Sequence, residues 1–63
     1  MNIGGRIRFY RRRRDFSQRE LASRLGMAAP QLSRYERGRT QPGMLVLSRI
    51  ARALDVPMSD FFF

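Results

Sequence analysis

Within ten residues, from Ser17 to Gly26, the sequence encodes both ends of one short helix. Ser17 is followed three positions later by Glu20, a capping box in which the hydroxyl accepts from the third helical amide and the carboxylate reaches back. Phe16 and Leu21 occupy the two positions of a hydrophobic staple. Gly26 stops the helix, so it runs over about 18–25. The same alternation of start and stop signals recurs along the chain. Ile3, Ile7 and Tyr10 stand at helical spacing and predict a first amphipathic helix over about 3–14 with an arginine-rich outer face. Arg11, Arg12, Arg13 and Arg14 lie in its last turn, where cations complement the helix dipole. Asp15 follows, where a glycine would end the helix more comfortably. A short turn through Met27 leads to a third helix, with Pro30 tolerated in its first turn, and Gly38 ends it. Beyond the loop Arg39-Thr40-Gln41-Pro42, Gly43 opens a fourth helix carrying the stripe Leu47, Ile50, Ala51 and Leu54. Pro57 opens a short fifth, with Asp60 near its positive end. Neither period-two alternation nor an Asn-Gly turn appears. The predicted fold is all-α, a compact bundle of five short helices.

With 63 residues, the chain reads as a single domain over 1–63. A core of that size buries about 60% of the surface an unfolded chain exposes, and such domains often lean on a partner subunit. Cysteine and histidine are both absent, which removes disulfides, thiolate zinc sites, the commonest metal ligand and the commonest general base. The five acids, Asp15, Glu20, Glu36, Asp55 and Asp60, show no paired acid–base spacing. No catalytic residue, metal ligand or cofactor site is therefore expected, and an enzyme is the least supported class. The net charge of +8 points instead to nucleic acid. All 13 basic residues are arginine, whose fork suits phosphate and guanine, although a GC-rich genome accounts for most of the missing lysine. The opening residues hold no apolar stretch of signal-peptide length, and no run approaches a membrane span, so a soluble cytoplasmic protein is expected. No small-molecule ligand is evident, and these residues leave no room for a separate ligand-sensing domain.

Residues 18–37 resemble the helix-turn-helix of the lambda-repressor-like family, also called the xenobiotic-response-element family of bacterial regulators. The resemblance rests on Ser17-Gln18, Leu21-Ala22, Leu25-Gly26-Met27, Leu32-Ser33-Arg34-Tyr35-Glu36-Arg37-Gly38 and Pro42. It extends to Ile7-Arg8 and Arg11 on one side and to Ile50-Ala51, Leu54 and Val56 on the other. Each shared residue has a physical task. Ala22 is small where the second and third helices cross, and Gly26 supplies the positive φ of a three-residue turn. Leu21, Leu25, Leu32 and Tyr35 face inward and aim the third helix outward, as they would in any small helical bundle. Arg11 and Glu36 occupy positions that pair in the family, tying the first helix to the end of the third.

The resemblance implies a regulator that binds double-stranded DNA, with the third helix in the major groove. Carried over, Gln18 and the first amides of the second helix grip phosphate on one flank, and Arg37, Arg39 and Gln41 on the other. Ala28, Ala29, Pro30, Ser33 and Arg34 face base edges. Arg34 is the candidate for direct readout, since it can reach O6 and N7 of a guanine. Two departures stand out. Ala28 sits where a serine or threonine usually caps the third helix, a difference of about 1 kcal/mol. Ala28, Ala29 and Pro30 can meet thymine methyls but cannot hydrogen-bond with their side chains, which leaves specificity to Arg34, Ser33 and DNA shape. The run Arg11–Arg14 points in four directions around its helix, so its members cannot share one role.

Apolar residues also exceed what one core needs. One or two of Phe61, Phe62 and Phe63 pack beneath the first and fourth helices, leaving another exposed. Leu45 stands where relatives often carry a polar residue. Leu45, Val56 and Phe63 are the candidate contacts of a homodimer, which would set two recognition helices about 34 Å apart. The expected function is sequence-specific DNA binding by a transcriptional regulator of phage-repressor type. The alternatives are a nonspecific nucleic-acid-binding protein or a DNA-binding antitoxin component. A cationic membrane-active peptide is disfavoured because breakers interrupt the helices every ten to fifteen residues.

Overall fold

The four α-helices end, and the first two also begin, through local hydrogen bonds. The computed structural model describes residues 2–62. Helix α1 spans Ile3–Arg13, α2 Gln18–Leu25, α3 Ala29–Glu36 and α4 Met44–Leu54. A 3-10 helix, Met58–Phe61, follows. The described residues contain no strand. The fifth helix foreseen from the sequence is thus one 3-10 turn, because Pro57 opens a segment too short to close successive i to i−4 bonds.

At α1 the Asn2 side chain caps the helix by accepting from the Gly5 amide at 2.8 Å. At α2 the capping box closes in both directions. The Glu20 amide donates to Ser17 Oγ at 3.0 Å, and the Ser17 amide donates to Glu20 Oε1 at 2.9 Å. The bond from the Ser17 amide, followed by that of its hydroxyl, holds the Glu20 carboxyl below its ordinary pKa. A carboxyl so lowered stabilises the fold above its unfolded pKa, and that contribution is lost as pH falls through the folded value.

All four α-helices end in the paired closure known as the Schellman motif. Amides of Phe16, Met27, Arg39 and Val56 return to the carbonyls of Arg11, Ala22, Arg34 and Ala51, at 2.9–3.1 Å. Those of Asp15, Gly26, Gly38 and Asp55 bond three residues back, to Arg12, Ser23, Tyr35 and Arg52. The closure needs one left-handed residue, which is glycine at Gly26 (φ +69°) and Gly38 (φ +73°). Asp15 (φ +59°) and Asp55 (φ +58°) fill the same role with a short polar side chain that tolerates it.

Helices α2 and α3 pack around the turn at Gly26, α1 lies against α3, and α4 backs α2. The 3-10 turn plugs the gap between α1 and α4 with Phe61, which is fully buried. Ile7, Leu21, Leu32, Leu47, Ile50 and Leu54 are equally inaccessible, and Ala22, Leu25, Tyr35 and Ala51 complete the cluster. Burying each large side chain contributes about 1.5–3 kcal/mol. The predicted stripe on α4 is the buried one.

One determinant of this packing is absent from the sequence reading. Gly4 lies where α1 approaches the end of α3 so closely that an added Cβ would collide with the Tyr35 carbonyl oxygen and stand 2.7 Å from that of Glu36. Backbone carbonyls at a helix end cannot step aside. Alanine is favoured over glycine in an isolated helix by about 1 kcal/mol, yet overpacking here reverses the sign. Gly4→Ala is expected to destabilise by about 2 kcal/mol and lower the melting temperature by about 10 °C. Thermal unfolding followed by circular dichroism checks this, and an unchanged or raised midpoint contradicts it.

Candidate nucleic-acid interface

The site is built around a carboxylate withdrawn from water. Glu36 closes α3 with its side chain 1% exposed, and Arg11 from α1 meets it with 9% exposure. Arg11 Nε donates to Glu36 Oε2 at 2.7 Å and a terminal nitrogen donates to Oε1 at 3.1 Å, a two-point fork. The other terminal nitrogen of Arg11 donates to the Phe16 carbonyl at 2.8 Å, reaching the turn before α2. Gln18 Nε2, at the first position of α2, donates to Glu36 Oε1 at 3.0 Å. Donors from α1 and α2 thus converge on one acceptor pair at the end of α3. Among the described residues, no buried side-chain nitrogen or oxygen lacks a partner.

This arrangement relates directly to the residues picked from the sequence. Arg11 and Glu36 are brought together, as the resemblance implied. Gln18, expected beside phosphate, is half-buried and held in place by Glu36. The bond uses one of its two side-chain N–H groups and fixes where the other points. Gln18 and Arg19 also open α2, where main-chain amides precede any helical acceptor and the dipole favours an anion.

On α3 the inner face, Leu32, Tyr35 and Glu36, is buried. Ala28, Pro30 and Arg34 are exposed, whereas Ala29 and Ser33 are half-buried. Ala28 takes the N-cap position with no side-chain hydrogen bond. Beyond the helix, Arg37, Arg39 and Gln41 are all exposed, on a loop whose start is fixed by the bond from the Arg39 amide to the Arg34 carbonyl. The start of α2, the outer face of α3 and the following loop therefore form a surface carrying Arg34, Arg37 and Arg39.

Two further supports were not visible in the sequence. An Arg49 terminal nitrogen donates to the Leu25 carbonyl at 2.7 Å, so α4 braces the end of α2 just before the Gly26 turn. Arg24 stacks over Phe16 at 4.7 Å from the ring centroid, covering the staple residue from outside. The first signal is tertiary. The second, Phe16 and Arg24 eight residues apart, has no mandatory spacing.

Comparison with known proteins decides the family. The family profile described as helix-turn-helix matches residues 7–61. The chain belongs to this lambda-repressor-like helix-turn-helix family. An uncharacterized HTH-type transcriptional regulator of Sinorhizobium medicae is 37% identical over 62 residues, covering 98% of this chain and 45% of that protein. The chain thus spans less than half the length of that relative. Among family structures, the clp gene regulator ClgR of C. glutamicum superposes with a TM-score of 0.92 at 28% identity, covering 97% of this chain and 79% of the other. The biofilm master regulator SinR, solved in complex with DNA, gives 0.89 at 34% identity, covering 97% and 98%.

The buried pair makes a stability prediction. Removing one member leaves the other charge desolvated without compensation, which costs about 3–5 kcal/mol. Glu36→Ala is therefore expected to leave the chain largely unfolded at 37 °C, while the paired exchange Arg11→Met with Glu36→Leu retains a cooperative transition. A double-mutant cycle by thermal melting tests it. Additive losses, or a Glu36→Ala midpoint near that of the parent, would remove the pair from its central place.

Proposed function

We propose that the chain is a sequence-specific binder of double-stranded DNA and serves as the DNA-binding part of a transcriptional regulator, most simply a repressor. The observation that carries this reading is the division of α3. Its inner side is locked by Leu32, Tyr35 and the Glu36 network, while Arg34 stands exposed on the outer side, with Arg37, Arg39 and Gln41 exposed beyond the helix. A net charge of +8 supplies the long-range attraction for the phosphate backbone. The solved chain of SinR, a structure determined in complex with DNA, is matched over 98% of its length.

In the proposed mode α3 enters the major groove with Ala28, Ala29, Pro30, Ser33 and Arg34 toward the bases. Arg34 reads a guanine, and the alanines and proline accept only what their shape allows. Gln18 with the first amides of α2 holds phosphates on one side, and Arg37, Arg39 and Gln41 hold them on the other. Selection of bound sequences from a random duplex library is expected to enrich a short inverted repeat. Arg34→Ala should relax preference at one base position, at a loss of about 1–3 kcal/mol, whereas Arg39→Ala should weaken binding to all sequences alike and reduce the salt slope by about one. A library with nothing enriched and only a steep salt dependence would instead make the chain a nonspecific binder.

The same reading includes a homodimer. Leu45 is 76% exposed and Met44 65%, with Phe62 also exposed, while Val56 packs in part against the core. Phe63 lies outside the described residues. Leu45 and its apolar neighbours form the proposed contact, which covers a surface that water disfavours. Sedimentation equilibrium is expected to show a dimer that Leu45→Glu weakens at least about tenfold, equivalent to about 1.4 kcal/mol. A monomer at high concentration, with and without DNA, rules the dimer out.

A further inference from the structure

We propose that the outer face of α1 is a docking surface for an acidic segment of another protein, with Phe9 as its apolar anchor. The inner side of α1 is fixed by Gly4, Ile7 and Arg11, which are buried against the rest of the fold. At 3.6 residues per turn, Phe9 falls on the opposite side of the helix. It is 49% exposed, and its α1 neighbours Arg8, Arg12 and Arg13 are exposed arginines. Its ring is nonetheless held. It meets Tyr10 edge-on at 5.0 Å, and Tyr10 meets the buried Phe61 at 5.9 Å, so the ring is tied to the core through two aromatic contacts.

Among the described residues, the charged side chains that line the grooves beside this ring are all arginines. Arg13 sits over it, 5.5 Å from the centroid. Arg8, Arg12 and Arg13 line a shallow groove on one side of Phe9, and Asn2 and Arg6 line a second on the other. Gly5 contributes to both, with the Asn2 side chain lying over it on the second side. No acidic residue occurs before Asp15, and none lines either groove. An apolar anchor ringed by arginines is complementary to a leucine or phenylalanine flanked by carboxylates. A second copy of the same face is excluded, since it would set arginines against arginines.

Other polyanions fit less well. Duplex DNA on α3 lies toward the inner side of α1, and paired bases offer no ring face that Phe9 could reach. A membrane-lying helix needs a wide apolar face, whereas this one presents a single exposed apolar side chain on an 11-residue helix. The surface therefore serves contact with a protein while the other side of the molecule is free for DNA.

The test is an NMR titration of the isotope-labelled chain with a synthetic peptide in which phenylalanine and leucine recur at helical spacing among glutamates. Saturable binding with amide shifts confined to residues 5–13 is expected, and polyglutamate of equal length should bind far more weakly. Phe9→Ala should weaken the peptide about tenfold, as should Arg12→Glu, with thermal melts confirming that each variant is folded. Phe9→Ala should leave affinity for duplex DNA unchanged, which separates this proposal from the DNA-binding one. Equal binding of polyglutamate, unchanged affinity in both variants, or shifts centred on α3 overturn it. So do duplex DNA or phosphatidylglycerol vesicles that reproduce the shifts at Phe9 and lose them in Phe9→Ala.

Discussion

A carboxylate taken out of water has to be answered by donors on both oxygens, and Glu36 is answered by groups from two other segments. Arg11 arrives from α1 in a two-point fork and Gln18 arrives from the first position of α2. The same guanidinium extends to the Phe16 carbonyl. Hydrophobic packing alone is non-directional and would tolerate small rotations of α3 against its neighbours. A charged hydrogen-bond network has narrow geometry, and an unsatisfied member is expensive. The network therefore sets the rotation of α3 about its own axis, and with it the direction in which Arg34 and Ser33 face. It also orients Gln18, so one buried group aligns the outer face of α3 with the start of α2. Gly4 is the steric counterpart, because the fork from Arg11 closes only if α1 can approach the α3 carbonyls without a Cβ between them.

Short helices make this precision possible. Helices α2 and α3 have only eight residues each, below the length at which an isolated helix holds together in water. Their ends must supply what their length does not. The chain solves the carboxyl ends four times with one device, a left-handed residue closing two bonds, so each helix stops at a defined residue and the next begins within a few positions. Where the turn is tightest, between α2 and α3, that residue is Gly26, and Arg49 braces the Leu25 carbonyl beside it. Asp15 and Asp55 occupy turns that leave their side chains exposed, and there a short polar residue is sufficient.

This pattern explains what could be read from the sequence and what could not. The Ser17–Glu20 box, the stop at Gly26 and the stripe on α4 depend on neighbours within four residues, so spacing alone reveals them. The Arg11–Glu36 pair spans 25 positions and came from resemblance to a family, not from periodicity. Nothing in the local sequence marks Gly4, because its requirement comes from carbonyls more than 30 residues away. The second role of Gln18 was hidden for the same reason. At the site, exposure of Arg34, Arg37, Arg39 and Gln41 follows from where the apolar residues turn inward, so the outward set was legible once the inward set was. The 3-10 form of the last helix was not legible, because Pro57 and Asp60 mark a start without saying how far a helix can run.

The start of α3 has no side-chain cap, and this has a consequence for how DNA would be read in the proposed mode. Ala28 offers no side-chain cap, Pro30 has no amide hydrogen, and the Gln31 amide already returns to the Ala28 carbonyl at 3.0 Å. Little donor capacity remains at that helix end, so it is a poor anion site even though the dipole there is favourable. In the proposed mode the phosphate grip then falls to the start of α2 and to the loop after α3, on either side of a nearly inert wedge. Such a wedge discriminates by shape and by thymine methyls, and it leaves hydrogen-bonded readout to groups one turn further along. The rigidity imposed by Glu36 becomes more important under that division of labour, because a reader with few base contacts can afford little error in where each of them points.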